Sequence, residues 1–112
     1  MRNTTFRAAA LFALVGYAGA AAADCYDVFG CTDRDRFNVR ALMSGPNCEF
    51  LYVMRNRIYA QHGYCFQTPR AIATFGNAGC VSSNANALGL NAIELGNATT
   101  ILQAEQAMRC PE

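Results

Sequence analysis

The sequence predicts an all-α fold: a cleaved signal peptide, then a small domain of about four helices that three disulfide bonds hold together. Three observations support this prediction. The first residues have the charge and hydropathy of a secretory signal, and all six cysteines lie after it. The rest of the chain repeats apolar residues every three or four positions, as amphipathic helices do, and no segment shows the alternation typical of strands.

The chain begins with the three parts of a secretory signal peptide. Arg2 and Arg7 give a positive start without acidic residues, and an apolar stretch, Ala8–Ala18, follows. Ala20–Ala23 then offers the small residues that signal peptidase requires. An uncleaved transmembrane anchor is disfavoured, because a bilayer core needs about 20 predominantly apolar residues. We therefore predict a signal peptide at residues 1–23.

The predicted mature chain, a single domain at residues 24–112, is close to electroneutral. Without the signal it has seven arginines, no lysine and eight acidic residues, which is a net charge of −1. Nucleic acids and anionic membranes attract strongly basic proteins, so this balance predicts neither partner. We expect a periplasmic or secreted protein, and the sequence leaves its oligomeric state open.

Six cysteines in so short an exported chain predict a disulfide framework. They are Cys25, Cys31, Cys48, Cys65, Cys80 and Cys110. A domain of this size buries little apolar surface, and each bridge adds about 2–4 kcal/mol of stability. Zinc is the alternative, but no two cysteines have the spacing of metal ligands and His62 is the only histidine. We therefore predict three disulfides, no metal and no cofactor.

The N-terminal half predicts two helices. After a short segment around Cys25 and Cys31, Thr32 or Asp33 has the side chain to cap a first helix that runs to about Met43. Ser44–Asn47 then breaks the chain.

The second helix, Cys48–His62, has the strongest helical pattern. Its apolar positions are Phe50 or Leu51, Met54 and Ile58. Asn47 is its predicted N-cap, and Gly63 its predicted left-handed end, where Tyr64 is placed to touch Tyr59.

Two further helices follow in the C-terminal half. Thr68–Phe75 begins with an N-cap threonine and a proline, and we predict a loop over residues 77–87. The last helix, from Ala92 to about Arg109, starts with the capping-box spacing of Asn91 and Glu94.

Helix geometry limits the disulfide pairings. Cys48 and Cys65 bracket a helix about 20 Å long, and paired cysteines need Cα atoms within about 7 Å, so this pairing is excluded. A local Cys25–Cys31 bridge is feasible. A Cys80–Cys110 bridge would tie the last helix to the loop before it. The sequence does not decide among the remaining pairings.

The run Tyr59-Ala60-Gln61-His62-Gly63 resembles the signature of the YARHG domain family, which is named for Tyr-Ala-Arg-His-Gly. Further matching positions are Arg55, Asn56, Tyr64, Phe66, Phe75 and the later run Asn97, Ile101, Glu105 and Cys110. The resemblance covers most of residues 42–110. It implies an extracytoplasmic bacterial protein without established enzymatic activity, associated with the cell envelope. Gln61 replaces the arginine of the family name, which puts any binding role of that arginine in doubt here.

Four polar or aromatic residues of the second helix are the predicted binding residues: Arg55, Asn56, Tyr59 and His62. Of these, Arg55, Tyr59 and His62 share one side of the helix, where they could receive a carboxylate or sugar from an envelope polymer. The alternative is internal: Arg55 or Asn56 bonds neighbouring chain ends, and His62 packs at the carbonyl end of its helix.

The leading hypothesis is therefore an exported, non-enzymatic interaction module that binds a polymer or protein of the cell envelope. The first alternative is a small hydrolase that uses His62, the one candidate catalytic residue, with a carboxylate. A carboxylate pair for glycoside cleavage among Glu49, Glu94 and Glu105 is disfavoured, because Glu94 has a capping role and Glu49 suits a helix start. The second is a secreted effector or inhibitor whose disulfides resist proteolysis. No nucleophile or second base has a position that the sequence fixes, so the sequence favours a protein without catalytic activity.

Overall fold

The structure is a computed structural model that describes residues 23–112, so the predicted signal peptide, apart from Ala23, lies outside the described residues. In chain order the elements are β1 (Cys25–Tyr26), β2 (Gly30–Cys31), α1 (Val39–Ser44), α2 (Cys48–Ala60), α3 (Pro69–Phe75), a 3₁₀ helix (Ala85–Ala87) and α4 (Ala92–Ala107). None of these helices is long and apolar enough to cross a membrane.

The chain is not purely helical, so the prediction that it lacks strands was wrong. β1 and β2 form an antiparallel pair in which Cys25 faces Cys31 and Tyr26 faces Gly30. Strands of two residues are too short to show an alternating pattern, so no strand pattern was visible in the sequence. Gly30 has φ +98°, and a Cβ there would lie 2.6 Å from Cβ of Asp35, so the turn requires glycine.

The first helix is shorter than predicted: it begins at Val39, and its N-cap is Asn38, whose side chain accepts from the Ala41 amide. Neither Thr32 nor Asp33 caps it. The preceding segment is held in a non-helical conformation by Asn97 of α4. Its side chain accepts from the Phe37 amide at 2.8 Å and donates to the carbonyls of Thr32 at 3.0 Å and Asp35 at 2.8 Å. A residue 60 positions away thus overrides the local helix signal.

The predicted caps of the next two helices are confirmed. Asn47 accepts from the Phe50 amide at 2.8 Å, and Thr68 accepts from the Ala71 amide at 3.2 Å. α2 ends at Ala60, two residues earlier than predicted, and a turn leads to Gly63 with φ +83°.

The contact predicted beyond the end of α2 is also present. The rings of Tyr59 and Tyr64 lie 5.6 Å apart between centroids. The backbone of Gly63 is also bonded to the later loop, because its carbonyl accepts from the Val81 amide at 2.6 Å. The loop 77–87 is also more ordered than predicted, since it contains the 3₁₀ helix Ala85–Ala87.

α4 begins as predicted. Asn91 accepts from the Glu94 amide at 2.8 Å, and the Glu94 carboxylate accepts from the Asn91 amide at 2.9 Å, which completes the capping box.

All six cysteines are paired in three disulfides. The feasible Cys25–Cys31 bridge is present, and Cys48 does not pair with Cys65, as helix geometry required. The other pairing considered, Cys80–Cys110, is not formed, because Cys110 pairs with Cys48 and Cys80 with Cys65. The reason is topological: α4 runs antiparallel to α2, so the C-terminal end of α4 arrives beside the N-terminal end of α2.

The core lies between α2 and α4, with α1 and the N-terminal segment closing one side. Its buried members are Phe37, Leu42, Leu51, Met54, Ile58, Ala98, Ile101 and Ala104. The alanines are contributed by α4, and small side chains there allow the two helices to approach closely. Removing this much apolar surface from water is the main favourable term for so small a domain.

Candidate functional site

Three contacts of different chemistry join α2 to α4 along one line, which we call the seam. Its residues on the α2 side are Cys48, Arg55 and His62, which are seven positions apart. Cys48 and Arg55 lie on one face of α2, and His62 follows two residues after the helix ends. The pairs are the disulfide Cys48–Cys110, the ion pair Arg55–Glu105 and the contact His62–Glu94. Two of the four predicted binding residues, Arg55 and His62, thus bind another part of the chain.

Arg55 is held by both oxygens of one carboxylate. Its Nε donates to Glu105 Oε2 at 2.5 Å and its Nη2 to Oε1 at 3.1 Å. The Glu105 side chain is only 6% exposed and that of Arg55 is 21% exposed. A bidentate contact of this kind satisfies both charges inside the protein. That Arg55 also binds a ligand stays a prediction.

His62 lies at the other end of the seam, beside a carboxylate that already has a structural task. Its Nε2 lies 2.8 Å from Glu94 Oε2, while Glu94 Oε1 accepts from the Asn91 amide. Glu94 therefore links the capping box of α4 to the end of α2. A polar cavity of about 240 Å³ adjoins them, and no serine, threonine or cysteine of the described residues lines it. Its titratable lining residues are Asp33, His62 and Glu94.

The other two predicted residues have their own positions. Asn56 is buried and donates to the Tyr52 carbonyl of its own helix at 3.0 Å. Tyr59 is half-buried and packs against the core and Tyr64. The structure therefore does not bring the four together: Arg55 and Asn56 border the groove described next, while Tyr59 and His62 do not.

A depression of about 850 Å³, which we call the groove, opens between α2, α3 and the C-terminal end of α4. Its lining is mostly apolar and includes Tyr52, Tyr64, Phe66, Pro69, Leu102 and Pro111. Its charged lining residues are Arg55, Arg70, Glu105 and Glu112. Ligand sites in proteins commonly have this size and this composition of apolar walls with few polar groups.

Arg70 is the residue that sequence reasoning missed. Its guanidinium carbon lies 3.5 Å from the centroid of the Tyr52 ring, a cation–π contact, and its Nη2 donates to Glu49 Oε1 at 2.7 Å. The sequence contained one indication that Arg70 has a special role. Arg70 stands in the first turn of α3, where the helix dipole favours acidic residues, so a cation there is out of place unless it serves another purpose.

A second, shallower surface lies at the other end of the domain. It is apolar, encloses about 600 Å³ and is lined by Val28, Phe29, Pro46 and Phe50 among others. Val28, in the turn of the disulfide-closed hairpin, is 79% exposed. The surface offers apolar contact area but few groups that would orient a ligand.

The titratable groups near the N-terminus interact closely. Burial and the neighbouring Asp24 carboxylate raise the pKa of Tyr26 to about 12. The hydrogen bond to Asp24 raises the pKa of Arg57, which pairs with that carboxylate through Nε at 2.6 Å. Within residues 23–112 no group of three or more His, Cys, Asp or Glu side chains is arranged to hold a metal ion.

Comparison with known proteins gives one match. A family model described as the YARHG domain matches residues 32–106, from the segment before α1 to the last turn of α4. No curated protein matches the chain, and no solved structure does.

Proposed function

The chain belongs to the YARHG domain family, and from that premise we propose that it is an exported, non-enzymatic module that binds a component of the cell envelope in its groove. Family membership and the three disulfides are consistent with an extracellular or periplasmic protein.

The groove is the observation that carries this proposal. It combines aromatic and proline surfaces with two arginines, and the Arg55–Glu105 ion pair and the Cys48–Cys110 disulfide cross-link the segments that form it. A preorganised site loses little conformational entropy when a ligand binds, which favours affinity without chemistry.

Binding is favoured over hydrolysis by the state of the carboxylates. Glu94 is engaged by His62 and the Asn91 amide, and Glu105 is engaged at both oxygens by Arg55. A general acid or base must exchange a proton with the substrate, and the oxygens of these two carboxylates already have partners within the protein.

Retention on purified envelope fractions tests the proposal. The exported protein is incubated with peptidoglycan and with envelope protein, and the bound fraction is measured after sedimentation. Leu102→Arg, which places a bulky cation in the groove, is expected to reduce the bound fraction at least tenfold.

Leu95→Arg is the matched control, because Leu95 lies on the same helix outside the groove with nearly the same exposure, 38% against 39% for Leu102. Its bound fraction should equal that of the wild type. If the wild type is retained on neither fraction, or if both variants bind equally well, the groove is not the binding site and the proposal is wrong.

A further inference from the structure

The two arginines of the groove differ in how firmly they are held. Glu105 accepts from Arg55 through both carboxylate oxygens, and its side chain is almost fully buried. Arg70 has one hydrogen bond to Glu49, whose side chain is 66% exposed. Exposed ion pairs are weak, because water and salt compete for both partners. An incoming carboxylate can therefore displace Glu49 from Arg70 but cannot displace Glu105 from Arg55.

Arg70 is also preoriented for such an exchange. The Tyr52 ring beneath its guanidinium carbon fixes the planar group at the edge of the groove. Within the described part of the chain, its Nε and Nη1 donate to no acceptor. A planar guanidinium with free N–H groups binds a carboxylate through two parallel hydrogen bonds. Glu49, which does not line the groove, occupies the Nη2 donor that such a carboxylate would also use.

The walls of the groove indicate what carries that carboxylate. Beside Arg70 they are formed mainly by apolar groups, among them Pro69, Phe66 and Leu102. A polysaccharide needs polar partners for its hydroxyl groups, whereas the apolar side chains of a peptide gain by leaving water. The lining therefore fits an extended peptide with a free carboxylate and apolar neighbours.

We infer that the groove binds an acidic peptide and that Arg70 pairs with its carboxylate in place of Glu49. This inference rests on the proposed function and adds the ligand class and the residue that recognises it. Glu49 then acts as an internal competitor, which the ligand must replace.

Peptidoglycan, whose stem peptides carry free carboxylates, is the probe. The exported protein is titrated with intact peptidoglycan and with peptidoglycan whose carboxyl groups have been converted to amides. We expect amidation to weaken binding at least tenfold. Polygalacturonate, a carboxylate polymer without peptide, should not compete; competition as strong as that of peptidoglycan would overturn the peptide assignment.

Variants separate recognition from a structural role of Arg70. Arg70→Met is expected to weaken binding to intact peptidoglycan at least tenfold, and Arg70→Lys severalfold, because lysine cannot make the two parallel bonds. Arg40→Met, an exposed arginine outside the groove, is the control and should change nothing. Glu49→Gln should strengthen binding about threefold, since it removes the competitor.

The outcomes distinguish the two proposals. If the wild-type protein does not bind intact peptidoglycan, the inference is overturned. The proposed function then stands only if the protein binds envelope protein. Equal binding to intact and amidated peptidoglycan overturns the inference and leaves the proposed function standing. If Arg70 only supports the fold, Arg70→Met lowers the melting temperature and Glu49→Gln weakens binding or leaves it unchanged, which also overturns the inference.

Discussion

At the scale of single residues, two side-chain amides, the buried Asn97 and the half-buried Asn77, satisfy backbone groups that lie outside the helices. Asn97 is 2% exposed and binds three backbone groups of the segment that leads into α1. Asn77 binds both the amide and the carbonyl of Phe66. Because buried backbone groups without partners are costly, these side chains decide the path of segments that have no regular structure.

Asn97→Ala tests the role of Asn97, which binds more backbone groups than Asn77 does. The change leaves the Phe37 amide and the carbonyls of Thr32 and Asp35 without their partner, and we expect a loss of about 3 kcal/mol in the free energy of unfolding. Urea denaturation followed by circular dichroism measures it. Thr99→Ala, an exposed position on the same helix, should change stability by less than about 0.5 kcal/mol. Equal stability of the two variants would contradict the assignment.

Tyr26 predicts a loss of stability at high pH. Its pKa is raised from 10.0 to about 12, by burial first and by the Asp24 carboxylate second. The folded state therefore retains the phenol proton in a range where the unfolded chain has released it. This contribution is complete below about pH 10 and is lost as the pH rises towards 12.

Thermal melts between pH 9 and pH 12 check this prediction. The wild type should lose melting temperature above pH 10, and Tyr26→Phe should lose less over the same range. The difference in phenolate absorbance between the two proteins gives the pKa directly. If the midpoint of this difference curve lies near pH 10, the pKa of Tyr26 is not raised and the prediction is wrong.

At the scale of elements, the parts that the sequence predicted are those that local chemistry controls. The caps Asn47, Thr68 and Asn91 and the left-handed Gly63 are each set within a few residues, and each was foreseen. The start of α1 was not, because Asn97 controls it from α4. The partner of Cys110 depends on how two helices align, which no local pattern specifies.

The site follows the same division. The spacing placed Arg55 and His62 on one side of α2, but their partners Glu105 and Glu94 belong to another helix, so the seam could not be foreseen. Arg70 was overlooked because its importance comes from Tyr52, 18 positions earlier in the chain.

Replacing each of two glycines by alanine is predicted to change stability in opposite directions. Gly96 lies inside α4, and a Cβ there would meet Arg36 Nη1 at 3.7 Å, an ordinary contact distance. We expect Gly96→Ala to stabilise the protein by about 0.5–1 kcal/mol, because alanine loses less entropy in a helix. At Gly63, φ is +83° and a Cβ would lie 2.8 Å from Val81 Cγ2.

Gly63→Ala should therefore destabilise the protein by more than about 1 kcal/mol. Melting temperatures of the two variants and the wild type are sufficient to test the pair. A Gly96→Ala variant that melts below the wild type would mean that Arg36 cannot accommodate the added methyl group.

At the scale of the whole molecule, the disulfides differ in how much of the unfolded chain they restrict. They join cysteines 6, 15 and 62 positions apart in sequence. The loss of chain entropy increases with loop length, so the Cys48–Cys110 bridge stabilises most and the Cys25–Cys31 bridge least.

Replacing both cysteines of a bridge by serine measures its contribution. The chain-entropy relation gives a loss of about 4 kcal/mol for Cys48–Cys110, about 3 kcal/mol for Cys65–Cys80 and about 2 kcal/mol for Cys25–Cys31. Guanidinium denaturation of the three double variants tests this order. A hairpin variant as unstable as the Cys48–Cys110 variant would show that native contacts, rather than chain entropy, dominate.

The seam divides the protein into a fixed frame and an exchangeable part. Cys48–Cys110 and His62–Glu94 connect the α2 and α4 segments near both ends, so the two helices are held together by more than the chain that runs between them. That intervening chain, residues 63–91, carries α3 and with it Arg70 and one wall of the groove. Under the proposed function, a substitution at an exposed position of that segment would reshape the groove wall while the two helices stay connected. Binding specificity could then change without a change of fold.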